Sequence, residues 1–80
     1  MHPYESLEDL PYLVKDILPE HAQEIYRAAY NSAWGEYADP GKRQGDESRE
    51  TVARKVAWSA VEQKYKKDEK TGRWVKKEEE

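Results

Sequence analysis

The chain has 80 residues, 36% of them hydrophobic and 39% charged, so it has room for one small domain and no second one. It lacks cysteine, which excludes a disulfide framework and a thiolate metal site. No apolar run approaches the roughly 20 residues that span a bilayer, and MHPYESLEDLPY lacks the basic and apolar regions of a signal peptide, so a cytoplasmic protein without membrane insertion is expected.

A domain this small buries only about 60% of its unfolded surface. Three Trp and six Tyr nevertheless argue against a disordered chain. The net charge of −3 conceals a division. Residues 1–39 carry eight acids and two bases, a balance of −6, whereas residues 40–80 carry twelve bases and nine acids, a balance of +3. The two halves can pair with each other or face different partners.

In chain order, Pro11 and Pro19 punctuate the first part. Proline suits the first helical position, where its missing N–H has no partner in any case. Leu13, Val14, Ile17 and Leu18 follow at helical spacing, and the residue before Pro19 is pushed out of the helical region, so a short first helix ends near Leu18. A second helix starts at Pro19, with Ala22, Ile25, Tyr26, Ala29, Tyr30, Ala33 and Tyr37 forming one apolar stripe at steps of three and four. ADPGKRQGDES reads as a polar loop, and Asp46 or Ser48 can cap a third helix. Its apolar face holds Ala53, Val56, Ala57, Ala60 and Val61, bordered by Trp58 and Tyr65. Small residues on both faces allow the second and third helices to approach closely as an antiparallel hairpin. A turn signal at Lys70-Thr71-Gly72 lies between Tyr65 and Trp74-Val75, which suits a β-hairpin. The N-terminal Pro3-Tyr4-Glu5 can supply a third strand. A lone hairpin is marginal in water, so Trp74 must pack on the helices. The expected fold is therefore mostly α: a short first helix, an antiparallel helical hairpin and a small C-terminal β-hairpin. The domain is expected over residues 1–75, followed by a disordered charged tail at 76–80.

Catalytic motifs are weak. GEYADPGK has five residues between its glycines, Arg43 follows its Lys, and its first Gly closes a helix, so it is no phosphate loop. His21 and Glu24 sit one helical turn apart with His2 as a third candidate, but a metal site needs three or four convergent ligands. Glu5, Glu8, Asp9 and Asp16 lack the spacing of a calcium loop. Ser6, Ser32, Ser48 and Ser59 have no motif that sets a base beside them, and the small core leaves little volume for a catalytic pocket. No enzyme activity, metal or cofactor is expected. His21, Gln23 and Asn31 read as polar braces, whose partners should lie in the first-helix backbone and the N-terminal strand.

The basic C-terminal segment is the stronger candidate. Lys64, Lys66, Lys67, Lys70, Arg73, Lys76 and Lys77 surround Tyr65 and Trp74, a mixture of charge and rings that suits a nucleic-acid strand. Hairpin lysines also serve simply to keep sheet edges solvated. The isoelectric point near 5.4 favours that plainer role.

Several stretches together resemble a known family: Leu10-Pro11, Leu18-Pro19-Glu20-His21-Ala22-Gln23-Glu24-Ile25-Tyr26, Ala29-Tyr30-Asn31-Ser32-Ala33-Trp34 and Lys55-Val56-Ala57-Trp58-Ser59-Ala60-Val61. In order and spacing, from about Tyr4 to Trp74, they are similar to the ChaB family of cation transport regulators. Arg54 departs from that pattern, which often has His there. The resemblance implies a mostly helical fold with a small sheet and supplies no catalytic residues. It also implies a link to a calcium/sodium–proton antiporter, a membrane protein, through gene neighbourhood. The combined expectation is a monomeric, non-enzymatic regulator acting by protein–protein contact, with Trp34, Trp58, Glu20 and Glu24 as contacts. The alternative is nucleic-acid association through Lys64, Lys66, Lys67, Lys70, Arg73 and Trp74.

Overall fold

Two long helices set the architecture, and every other element is attached to them. A computed structural model describes residues 3–42, 45 and 47–77. The elements are α1 (Tyr12–Ile17), α2 (Glu20–Glu36), α3 (Arg49–Glu62), β1 (Tyr65–Lys67) and β2 (Trp74–Lys76), with single 3-10 turns at Leu7–Asp9 and Pro40–Lys42.

The α2–α3 interface follows from the placement of small residues. On α2, Ala22, Tyr26, Tyr30 and Ala33 are buried; on α3, Ala53, Ala57 and Val61 are buried at steps of four. Alanine at the contact lets the helix axes approach closely, because interaxial distance is set by the side chains between them. The pair is antiparallel: Arg49 at the start of α3 meets Trp34 near the end of α2, while Trp58 late in α3 packs on Tyr26 early in α2.

Both prolines sit at the N-cap rather than the first helical position, one residue earlier than expected. Their carbonyls accept the first helical bonds, from Lys15 N–H at 3.1 Å and Gln23 N–H at 2.9 Å. Ser48 caps α3, its Oγ accepting from the Thr51 N–H at 3.1 Å. Asp46, the other candidate cap, lies outside the described residues. Leu10, Val14 and Leu18, four apart, bury one row of the α1 segment against the hairpin. Leu13, expected in the apolar set, is 72% exposed. It stands about 100° round the helix from Val14, beyond the single row that contacts the domain.

The β-hairpin pairs Tyr65 with Lys76, Lys66 with Val75 and Lys67 with Trp74. At its turn, Asp68 N–H donates to the Arg73 carbonyl and Gly72 N–H donates to the Asp68 carbonyl, both at 2.7 Å. Gly72 has φ +78°, a left-handed conformation open to glycine without a Cβ penalty. Tyr65 is buried and Trp74 rests on Trp58, ring centroids 5.3 Å apart, which anchors the hairpin to α3. Lys76 belongs to β2, and Lys77 N–H donates to the Lys64 carbonyl at 2.9 Å, so the ordered sheet includes the first two residues expected in the tail. Residues 78–80 lie outside the described residues. Among the described residues the sheet has two strands, and Pro3–Glu5 does not join it. The backbone of that segment is held by a side chain of α2 instead.

Candidate functional site

That side chain is Asn31, buried on α2. Its Oδ1 accepts from the Tyr4 N–H at 3.1 Å, and its Nδ2 donates to the Tyr4 carbonyl at 2.7 Å. One amide thus imitates a strand partner for one residue. Gln23 Nε2 donates to the carbonyls of Leu18 at 2.8 Å and Lys15 at 3.2 Å, closing the C-terminal end of α1, whose last carbonyls have no helical partners. These are the bracing partners anticipated for Asn31 and Gln23. His21 has a different one: its Nδ1 lies 2.9 Å from the Tyr65 hydroxyl, tying the first turn of α2 to β1. The ring is exposed but engaged, and His2 lies outside the described residues. No group of three or more His, Cys, Asp or Glu converges as a metal site among the described residues.

The aromatic side chains of α2 form a continuous run. Tyr30 packs against Tyr4 at 4.7 Å, Tyr26 at 6.0 Å and Trp34 at 6.1 Å, and Tyr26 meets Trp58 edge-on at 5.1 Å. Burial, with Tyr4 adding to it, pushes the Tyr26 hydroxyl up to about 12 and raises that of Tyr30 above the ordinary tyrosine range. Trp34, a partner-contact candidate, is half-buried; the Arg49 guanidinium lies 4.1 Å from its ring centroid, while Arg49 Nε donates to its carbonyl at 2.7 Å. Trp58, the other aromatic candidate, is half-buried between Tyr26 and Trp74. Glu20 and Glu24 are exposed. The four do not form one patch: Glu20 and Trp34 are fourteen residues apart on one helix, roughly 21 Å.

Two other surfaces are more continuous. On α1, Tyr12 is 76% exposed and Leu13 72%, adjacent large apolar side chains open to solvent. Acids surround them in sequence, Glu8 and Asp9 before and Asp16 and Glu20 after, and Lys15 Nζ reaches back to the Glu8 carbonyl at 3.1 Å. Sequence reasoning missed this pair, counting Leu13 as core and passing over Tyr12; the small size of the domain was the available signal, because one short helix cannot bury two faces. The second surface is the β-hairpin. Lys64, Lys66, Lys67, Lys70 and Arg73 are all exposed, whereas Trp74, grouped with them for stacking, is half-buried against Trp58. A cleft of about 340 Å³ separates the two surfaces, with Asp16, Ile17 and Pro19 on one wall and Arg73, Trp74 and Val75 on the other.

The pattern of elements and packed residues matches known proteins. The ChaB family model matches residues 10–77. The chain belongs to the ChaB family. Relatives named "Putative cation transport regulator ChaB" in Escherichia coli strain K12 and in Shigella flexneri are 51% identical over 75 residues, covering 94% of this chain and 97% of theirs. The NMR solution structure of a protein with that name is 50% identical, with a TM-score of 0.79, and the match covers 95% of this chain and 100% of that one. The ChaB match runs from Leu10, the first core residue of the α1 segment, to Lys77, the last residue bonded in the hairpin. It therefore contains Gln23, Asn31, the aromatic run, Tyr12, Leu13 and the basic hairpin. Arg54 is exposed on α3 and pairs with Glu50 one turn earlier at 2.9 Å.

No helix among the described residues is long and apolar enough to cross a membrane.

Proposed function

We propose that this protein is a non-enzymatic regulator of cation transport that docks on a membrane cation antiporter through the acidic surface around Tyr12 and Leu13. The observation that carries this reading is the exposure of those two side chains, 76% and 72%, beside Leu10, Val14 and Leu18, which are buried, and Ile17, which is half-buried. Adjacent exposed apolar residues rimmed by charge are the usual form of a protein contact, with an aromatic as anchor. The charged residues next to them in sequence are mostly acidic, Glu8, Asp9, Asp16 and Glu20 beside the single base Lys15. Cytoplasmic loops of membrane proteins carry an excess of Lys and Arg, which gives this surface a complementary partner. The names of the ChaB relatives support a role in cation transport.

The test is a binding titration of the protein against the detergent-solubilised calcium/sodium–proton antiporter. Tyr12→Ala with Leu13→Ala removes two exposed side chains and leaves the core row Leu10, Val14 and Leu18 untouched. The expected result is at least a tenfold loss of affinity, in keeping with an interface hot spot worth about 2 kcal/mol. Unchanged affinity in the double variant would overturn the assignment of this surface, and no binding by the wild type would overturn the partner.

A second reading rests on the hairpin, where residues 64–77 carry seven bases and two acids. Nucleic-acid association through these bases predicts affinity that falls steeply with salt.

A further inference from the structure

We propose that the outer face of the β1–β2 hairpin is a docking surface for an anionic phospholipid bilayer. The inference deepens the transporter reading and rests on it, since it seats the domain on the membrane that holds the partner.

Successive side chains of a strand point to opposite faces, and directly paired residues share a face. The register therefore separates two sets. Tyr65 and Trp74 turn inward to the helices, one buried and the other on Trp58. Lys66 and Val75, a directly opposed pair, turn outward together. Lys64 and Lys77, joined by a backbone bond at 2.9 Å, extend the same face by one step. The outer face thus presents three lysines around an aliphatic residue that is 39% exposed. At the turn end Arg73, exposed and bonded through its carbonyl to the Asp68 N–H, extends this face and Lys70 lies just beyond it, whereas Lys67 and Lys76, paired with Trp74 and Tyr65, belong to the opposite face. Asp68 and Glu69 in the turn and Asp16 across the cleft are the acids beside it. Residues 64–77 keep a net charge of +5.

The composition of this face selects a lipid surface over a single nucleic-acid strand. Strand binding needs rings on which bases stack. Here the rings of Tyr65 and Trp74 point into the domain, and the apolar residue left outside is Val75, which has no π-face. An aliphatic side chain amid lysines suits a headgroup layer: the side chain enters shallowly, and lysine stems lie along apolar surface while their ammonium groups stay at the phosphates. Juxtamembrane basic clusters are attracted to anionic leaflets in this way.

The experiment is co-sedimentation of the full chain with phosphatidylcholine vesicles, with and without phosphatidylglycerol, at low and high salt. Each lysine at an anionic surface multiplies partitioning about fivefold, so Lys64→Gln, Lys66→Gln and Lys77→Gln together should lower it roughly a hundredfold. A control with the same charge change elsewhere, Lys42→Gln, Arg54→Gln and Lys55→Gln, should keep most of the binding. Backbone amide spectra of both variants establish that the hairpin is intact. Binding that needs phosphatidylglycerol, weakens with salt and is lost in the hairpin variant alone supports the proposal. Absence of binding to anionic vesicles at low salt overturns it, as does equal loss in the two variants. Salt-sensitive binding to duplex DNA without vesicle binding overturns it in favour of the nucleic-acid reading. The titration with solubilised antiporter contains no bilayer, so failure of the transporter reading is scored separately.

Discussion

Replacing Asn31 by Ala isolates the device that holds the N-terminal segment. The amide makes two bonds to one residue, accepting from the Tyr4 N–H at 3.1 Å and donating to the Tyr4 carbonyl at 2.7 Å. Each such bond contributes about 1 kcal/mol net. The Tyr4 ring, 4.7 Å from Tyr30, is oriented by them, and an aromatic pair adds about 0.5–1.5 kcal/mol. Loss of the clamp should therefore cost about 2.5–3.5 kcal/mol, a large share of the stability of a small domain. Urea denaturation followed by tryptophan fluorescence measures it. The same substitution in a chain lacking residues 1–5 supplies the other half of a double-mutant cycle. There Asn31 has no Tyr4 backbone to bond, so its replacement should cost under about 0.5 kcal/mol or stabilise, since a buried amide without its partners is unfavourable. Equal losses in the two backgrounds would refute the clamp and leave Asn31 acting through helix packing alone.

Other outcomes follow from the same packing. Below pH 10 the Tyr26 hydroxyl is protonated in both the folded and unfolded states. Between its ordinary value of 10.0 and the folded value of about 12 the unfolded chain ionises first, so stability falls as pH rises. Across that range the decline from this residue should be about 2 kcal/mol, and urea unfolding of Tyr26→Phe should be correspondingly flatter than the wild type. Gly72→Ala places a Cβ at φ +78° and should destabilise the hairpin by about 1–2 kcal/mol, seen as faster amide exchange at Lys77 and Asp68, whose N–H groups bond across it. Ser48→Ala removes the bond from the Thr51 N–H and should cost about 1 kcal/mol in thermal unfolding, with amide shifts confined to the first turn of α3.

The parts of the fold legible in the sequence are those with a local cause. The apolar rows of α2 and α3 follow a helical period, Ser48 caps where a polar residue precedes that period, and Gly72 marks the turn between β1 and β2. Even the polar braces were legible in kind, because a buried amide must find backbone partners. The features that escaped depend on distant contacts. Nothing near Trp34 in the chain indicates that Arg49, fifteen residues on, covers its ring. The partner of His21 is forty-four residues away. Leu13 looks like core in isolation and becomes surface only because α1 has one row of neighbours. The candidate surfaces shifted for the same reason: rings that looked available are packed against one another, and the exposed apolar pair lies on the short helix.

Regulation of transport by contact is tested most directly by proton-coupled cation flux in everted membrane vesicles containing the antiporter. Purified protein should change the flux in a saturable way, and the Tyr12→Ala, Leu13→Ala variant at the same concentration should leave it at the level of untreated vesicles. Flux that stays the same at every concentration of the folded wild-type protein would contradict the central claim.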